Sequence, residues 1–158
     1  MEKHEIRDAL VAAEFERKKT LQPGFLALGL TLGQGQPRIL KTLYSREPMT
    51  QRELADLCHL DVTTMSRTLD RLEENGCLRR CRDVNSRRSY QIELTDKGKA
   101  LAREVMECFE QIDEQICRGF NEDELELLLS LLHRVIKNLN PSREYPEDME
   151  SMEKRKKE

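Results

Sequence analysis

The chain has 158 residues, a length that suits a single domain. Hydrophobic residues make up 37% of it, but none of their runs is long enough to cross a membrane and no signal-peptide pattern opens the chain, so we expect a cytoplasmic protein without a membrane partner. The formal net charge of -3 at pH 7 argues, taken alone, against a nucleic-acid partner.

The N-terminal segment is predicted to contain two apolar stretches separated by a break. Apolar residues within Ile6–Ala13, Leu10 among them, have the spacing of a short amphipathic helix. Pro23 and Gly24 interrupt this pattern before Phe25–Leu32 resumes it, and the pair predicts a break or a sharp kink. A kinked segment could shape a ligand pocket or reposition a terminal arm, and we favour the second interpretation.

Two short helices joined by a tight turn are predicted next. Thr50 and Glu53 have the spacing of a capping box, which starts a helix that ends before a turn at His59-Leu60. Asp61 is a suitable N-cap for the second helix, and Asn75-Gly76 is a suitable stop. Such a brief connection is typical of the helix-turn-helix arrangement, in which the second helix reads the major groove of DNA.

The second helix has one apolar face and one polar face. The apolar residues recur at helical spacing and are expected in the core: Val62, Met65, Leu69 and Leu72. The residues off this stripe are short hydroxyls and arginines: Thr63, Thr64, Ser66, Arg67 and Arg71. Because hydroxyls can bond phosphates or bases and arginine can bind guanine through two hydrogen bonds, we predict that the polar face contacts double-stranded DNA.

A β-hairpin with a positively charged tip follows. Residues 89–94 alternate between polar and apolar, as in a half-buried strand, and residues 77–82 are its natural partner. The connection at 83–88 has the Asp, Asn and Ser that favour turns, followed by Arg87 and Arg88 with no apolar residue to bury them. Such a hairpin could follow the DNA backbone and insert an arginine into a narrow minor groove.

Positive charge is concentrated on this hairpin and its base. The basic residues there are Arg79, Arg80, Arg82, Arg87, Arg88, Lys97 and Lys99. A local positive field of this kind outweighs the negative net charge of the whole chain.

Two helices with apolar faces are predicted after the hairpin. The stripe of the first consists of Leu101, Val105, Phe109, Ile112 and Ile116. The second starts at Asn121, with Glu124 at capping-box spacing, and its leucine face consists of Leu125, Leu128, Leu129, Leu132, Val135, Ile136 and Leu139. Part of this surface is ordinary core, but so slim a domain offers little chain to cover the rest, so we expect some of it to close a two-fold dimer.

The order and spacing of three segments resemble the winged helix-turn-helix of the MarR family of bacterial regulators. These segments are Gly76-Cys-Leu-Arg-Arg80, Asp83–Arg88 and Leu94-Thr95-Asp-Lys-Gly98. The family signature in the wing is an acid, any residue, an arginine, five residues and Leu-Thr. Arg88 and Leu94-Thr95 fit this signature, whereas Ser86 stands at the acid position and Asp83 is the candidate to replace its bracing role.

The resemblance assigns roles to individual residues. It implies that Arg88 enters the minor groove, with Arg87 beside it on the backbone. Thr64-Met-Ser-Arg67 matches the core of the family's recognition helix, and Arg71 and Arg82 complete the predicted DNA-binding set.

The resemblance also implies an architecture, which is mainly α with a small β-hairpin wing. We expect N-terminal dimerisation helices in 1–35, a winged helix-turn-helix DNA-binding lobe in 36–99, C-terminal dimerisation helices in 100–139 and a charged, disordered tail in 140–158. The predicted dimerisation residues are Leu10, Leu125, Leu128, Leu132 and Leu139. The implied function is that of a homodimeric repressor on pseudo-palindromic DNA, released by a small effector that in this family is often an aromatic or phenolic acid.

Cysteine oxidation defines an alternative on the same fold. Cys58, next to the recognition helix, and Cys77, at the start of the wing, are the thiols whose modification would most disturb DNA docking. Cys77 and Cys81 are too far apart for a Cys-x-x-Cys pair, and no histidine follows at zinc-finger spacing, so we predict no metal site and no cofactor. A protein-interaction module is the second alternative.

Catalysis is the weakest interpretation, and we predict no catalytic residue and no enzyme. The sequence has no glycine-rich phosphate loop, no nucleophile with an evident base and no cluster of metal ligands.

Overall fold

The computed structural model describes residues 2–82 and 90–141. Within them the helices are α1 (Lys3–Ala27), α2 (Gln36–Arg46), α3 (Gln51–Cys58), α4 (Val62–Glu74), α5 (Asp96–Cys117) and α6 (Glu122–Leu139), with a 3-10 turn at Leu32–Gln34. The strands are β1 (Met49–Thr50), β2 (Leu78–Arg82) and β3 (Tyr90–Leu94). The predicted fold class, mainly α with a small β-sheet, is therefore confirmed. The chain divides into two units, one ending at Ile116 and the other beginning at Cys117. Among the described helices, none has the length and apolarity needed to span a bilayer.

The helix α1 continues through Gln22-Pro23-Gly24, so of the predicted break or sharp kink the break is wrong. Proline removes one backbone hydrogen bond, but burial of Leu21 and Phe25 on either side of it stabilises the helical path. The Phe25 and Phe109 rings pack in an edge-to-face arrangement with their centroids 5.3 Å apart. Gly24 permits close packing on α5, since a Cβ atom at this position would lie 3.1 Å from the Cys108 Sγ.

The helix-turn-helix has the predicted local signals. In the capping box of α3, the Glu53 amide donates to the Thr50 Oγ1 at 3.3 Å and the Thr50 amide donates to the Glu53 Oε2 at 2.8 Å. His59, with φ 52° and ψ 43°, adopts the left-handed conformation that ends α3. The Thr64 amide donates to the Asp61 Oδ1 at 2.9 Å, which caps α4, and Gly76 at φ 70° follows its end.

The buried face of α4 differs from the predicted one at its first residue. Met65, Leu69 and Leu72 are fully buried, and Thr68 joins them. Val62 is 71% exposed, so its assignment to the core is wrong. The helical spacing is right, but Val62 stands at the first position of α4, beyond the turns that pack against the core.

Within the described ranges, the sheet has three antiparallel strands in the order β1-β3-β2. In the hairpin, Leu78 pairs with Leu94 and Arg80 with Ile92, and the apolar members of these pairs are buried. The strand β1 was not predicted, because two residues are too few to show an alternating pattern. It pairs Met49 with Ile92 and so joins the wing to the segment before α3.

The α6 helix begins with the predicted capping box. The Glu124 amide donates to the Asn121 Oδ1 at 2.9 Å, and the Asn121 amide donates to the Glu124 Oε2 at 2.9 Å. None of the residues Glu122–Leu139 is buried within the single chain. The leucine face of α6 therefore has no fully buried side chain.

Candidate nucleic-acid interface

The polar face of α4 places three predicted DNA-binding residues together. Thr63 and Arg67 are exposed and Ser66 is half-buried. The Arg67 guanidinium makes no hydrogen bond or ion pair with another described residue. The Thr64 hydroxyl, in contrast, donates to the Asp61 Oδ2 at 2.6 Å and is engaged in capping the helix. Thr63, Ser66 and Arg67 are therefore the side chains of this face best placed to contact a nucleic acid.

Arg71 connects α4 to the 3-10 turn. Its Nη1 atom donates to the Gln34 Oε1, and the Thr68 hydroxyl lies 2.9 Å from the Gln34 carbonyl oxygen. Because the Gln34 amide is neutral, the positive charge of Arg71 is not compensated by this contact. Sequence reasoning did not identify Gln34 as a support of the recognition helix, since it lies 34 or more residues away along the chain.

Several basic residues at the base of the wing are paired with acids. Arg79 lies 2.9 Å from Glu93, and Lys99 lies 2.8 Å from Glu47. Burial alone would raise the pKa of Glu47, but hydrogen bonds from Lys99 and the Leu94 amide lower it below its ordinary value. The positive field at the wing base is therefore weaker than the sequence count of basic residues suggests.

Arg80 braces the wing against the recognition helix. Its guanidinium donates to the Asp70 Oδ1 at 2.7 Å and to the Glu73 carboxylate, and its backbone amide donates to the Glu73 Oε1 at 3.1 Å. The side chain is only 22% exposed. Arg80 thus fixes β2 on α4, which makes it a positioning residue and leaves it little freedom to bind phosphate.

Arg80→Ala is expected to lower the free energy of unfolding by about 1–3 kcal/mol, because it leaves the Asp70 and Glu73 carboxylates without their charged donor. Urea denaturation would measure this loss. Arg79→Ala is the matched control, since its ion pair with Glu93 is exposed to solvent and should contribute less to stability. Equal stabilities of the two variants would contradict the bracing role of Arg80.

Arg52 was missed by sequence reasoning. It lies in the first turn of α3, is exposed and has no hydrogen-bond or ion-pair partner among the described residues. Together with Gln51, Asp61 and Val62 it lines an open cleft at the start of the two helices. The first helix of a helix-turn-helix crosses the DNA backbone, so an arginine in its first turn can reach a phosphate. The position of Arg52 between Thr50 and Glu53 of the capping box is the sequence feature that could have identified it.

The structure describes the predicted dimerisation residues but not the tip of the wing. Arg87 and Arg88, with Asp83 and Ser86, lie outside the described residues, and Arg82 is exposed at the end of β2. Among the predicted dimerisation residues, Leu10, Leu128 and Leu139 are exposed and Leu125 and Leu132 are half-buried. These assignments stay predictions.

Both cysteines of the redox alternative are buried. Burial raises the pKa of the Cys58 thiol and of the Cys77 thiol. The thiolate is the reactive form of cysteine, so a raised pKa and burial lower the reactivity of both residues in this conformation. Among the described residues, no three His, Cys, Asp or Glu side chains are grouped as metal ligands.

A cavity of about 300 Å³ lies between α1, the 3-10 turn, α2 and α5. Arg17, Lys18, Arg38 and Phe109 contribute to its wall, as does Glu14. The hydrogen bond from Arg17 lowers the pKa of Glu14 to about 2, so Glu14 is an anion that offsets one of the three cations. The cavity wall is net positive and has one aromatic side.

Comparison with known proteins agrees with this geometry. Residues 32–90 match the MarR family. An uncharacterized HTH-type transcriptional regulator of Bacillus subtilis, YybA, is 31% identical over 73% of this chain and 77% of its own length. The HTH-type transcriptional regulator PecS of Dickeya dadantii is 36% identical, over 64% of this chain and 63% of PecS.

Solved structures share the fold. The structure of the transcriptional regulator SlyA has a TM-score of 0.73 and 27% identity, covering 85% of this chain and 92% of its own. The MepR–DNA complex of S. aureus has a TM-score of 0.77 at 22% identity, covering 84% of this chain and 96% of that one.

Proposed function

Because this chain belongs to the MarR family of transcriptional regulators, whose members bind DNA through a winged helix, we propose that it is a homodimeric repressor released from DNA by a small effector. The observation that carries the proposal is the polar face of α4, on which Arg67 is unpaired among the described residues and Thr63 and Ser66 lie beside it. Bound to a pseudo-palindromic site, the two recognition helices would enter successive major grooves about 34–36 Å apart.

The ion pairs of the arginines indicate which of them would contact bases and which would contact phosphates. Arg67 can bind a guanine edge because no described acid holds it, and Arg52 and Arg82 can bind phosphates for the same reason. Arg79 and Arg80 are held by acids and contribute less. Arg88 stays our candidate for the minor groove on the family signature alone. Neutralising four to eight phosphates in a dimer would make binding steeply salt-dependent.

Arg67→Ala is expected to weaken binding to the preferred duplex by about tenfold or more, and binding to random duplex by less than about threefold, because a base contact is lost. Arg88→Ala should weaken both and reduce the salt dependence. A gel-shift titration against the DNA upstream of the protein's own gene and a scrambled duplex, at two salt concentrations, would measure these effects.

Arg103→Ala is the matched control for loss of one positive charge. Arg103 is exposed and lies on α5, not on the polar face of α4, so its removal should leave the ratio of the two affinities unchanged. If Arg67→Ala behaved like Arg103→Ala on both duplexes, α4 would not read bases through Arg67. If the wild type bound both duplexes weakly and equally, the upstream DNA would not be the operator.

The cavity between α1, α2 and α5 supports the effector part of the proposal. Its excess of positive charge from Arg17, Lys18 and Arg38 favours an anion, and Phe109 offers an aromatic surface. The Arg38 Nη1 atom donates to the Cys58 carbonyl oxygen at 2.8 Å at the end of α3. An anion that draws Arg38 into the cavity would compete for this hydrogen bond and bias the position of the helix-turn-helix.

Hydroxybenzoic acids are expected to raise the melting temperature and to weaken DNA binding, whereas the corresponding neutral hydroxybenzamides should do neither. Differential scanning fluorimetry and fluorescence anisotropy with labelled duplex would measure both responses. Arg38→Ala should lose the response to the acids. A response that is equal for acids and amides, or that survives in Arg38→Ala, would place the effector elsewhere.

A further inference from the structure

The recognition helix begins with an apolar side chain that the core does not use. Val62 is 71% exposed, more than any other large hydrophobic residue among the described residues of 36–99. Tyr90, the next in that range, is 50% exposed. A β-branched residue does not favour helix formation, and Val62 does not pack with the buried face of α4. Neither helix propensity nor core packing therefore explains a valine at this position.

Val62 is continuous with the polar face of α4. Residues one turn apart lie on the same side of a helix, which places Val62 next to Ser66 and Thr63 next to Arg67. All four precede Thr68, whose hydroxyl donates a hydrogen bond to the Gln34 carbonyl oxygen of the 3-10 turn. The N-terminal residues of a recognition helix are those that contact base edges in the major groove.

The major groove presents one apolar group, the 5-methyl group of thymine. Hydroxyls and arginine can satisfy the polar edges of bases, but they gain nothing from a methyl group. The Val62 side chain ends in two methyl groups, and packing them against the thymine methyl group would remove apolar surface from water.

We propose that Val62 is a specificity-determining residue that packs against the 5-methyl group of a thymine in each half-site. The proposal rests on DNA binding by α4, the function proposed above. Val62 thereby selects a T·A pair at one position of the half-site through its methyl group and not through hydrogen bonds.

Uracil substitution isolates this contact, because deoxyuridine differs from thymidine only by the absence of the 5-methyl group. Duplexes preferred by the full-length wild-type protein would be selected from a randomised library, and each thymine of the half-site would then be replaced in turn. For the wild type, replacing one particular thymine in a single half-site should weaken binding about fourfold, the effect of burying one methyl group. For Val62→Ala, the same replacement should weaken binding by less than about twofold.

Leu57→Ala serves as the control for truncating an exposed apolar side chain. Leu57 is 43% exposed on α3, so this variant should keep the fourfold penalty at the same thymine. If replacement of each thymine weakened binding equally for the wild type and for Val62→Ala, the proposal would be overturned, whereas DNA binding by α4 would not be. If the wild type selected no duplex at all, the proposed function would fail and this inference with it.

Discussion

Gly98→Ala is expected to lower the free energy of unfolding by about 3 kcal/mol, the largest stability effect that we predict for a single methyl group in this chain. A Cβ atom on residue 98 would lie 1.8 Å from the Cys77 carbonyl oxygen and 2.8 Å from the Cys77 carbonyl carbon. Both atoms belong to the backbone, so no side-chain rotation relieves the overlap. Urea denaturation followed by far-UV circular dichroism would measure the loss.

The substitution should also affect the recognition helix, because Gly98 lies where the start of α5 packs closely against the residues that follow α4. The Thr95 hydroxyl donates to the Gly76 carbonyl oxygen at 2.6 Å, and the Thr95 amide donates to the Cys77 carbonyl oxygen at 3.1 Å. The start of α5 is therefore fastened to the end of α4. Separating them would move α4 relative to the wing, so we also expect Gly98→Ala to bind DNA more weakly at temperatures where it stays folded.

Gly33→Ala is the matched control for adding one methyl group. Nothing lies within 4 Å of a Cβ atom there, and the backbone of Gly33 is not in the left-handed region. This variant should be as stable as the wild type or more stable by up to about 1 kcal/mol. Equal denaturation midpoints for Gly98→Ala and Gly33→Ala would show that α5 does not pack against Cys77 as described.

The helix ends were predictable from the sequence because their signals are local. Thr50 with Glu53, Asp61 with Thr64 and Asn121 with Glu124 each satisfy backbone amides within three residues. The same locality explains the turn at His59. Short-range hydrogen bonds of this kind do not depend on where the rest of the chain lies.

The errors have a common physical cause, which is tertiary context. Proline at position 23 predicts a break from local geometry, but packing around Leu21 and Phe25 keeps α1 helical. Val62 has the spacing of a core residue, yet the packed surface of α4 ends before it. Periodicity reports which residues share a face and gives no information on how far along that face the neighbouring elements extend.

The sequence predicted how many basic residues lie at the candidate site, but not which of them are paired with acids. The sequence shows the basic residues at the wing base, but the acids that hold Arg79 and Arg80 come from β3 and α4. The unpaired state of Arg52 among the described residues likewise depends on the three-dimensional arrangement. Ion pairs between elements therefore determine which arginines have no acidic partner among the described residues.

The double change Leu128→Glu and Leu132→Glu is expected to convert the proposed dimer into monomers and to weaken DNA binding by at least about 100-fold. Leu128 and Leu132 lie one turn apart on α6, and neither is buried within one chain. A second copy would cover this face, and two carboxylates there would have to be desolvated without partners. Light scattering would report the mass, and fluorescence anisotropy the affinity.

A monomer would bind weakly because each half-site must then be occupied independently, without the gain in effective concentration that linked recognition helices provide. Ser130→Glu with Arg134→Gln is the matched control, since it changes the charge of α6 by the same amount at two exposed positions off the leucine face. The control should stay dimeric and keep most of its affinity. A leucine variant that stayed dimeric would place the dimer interface elsewhere, and a monomer with full affinity would show that one recognition helix and one wing suffice.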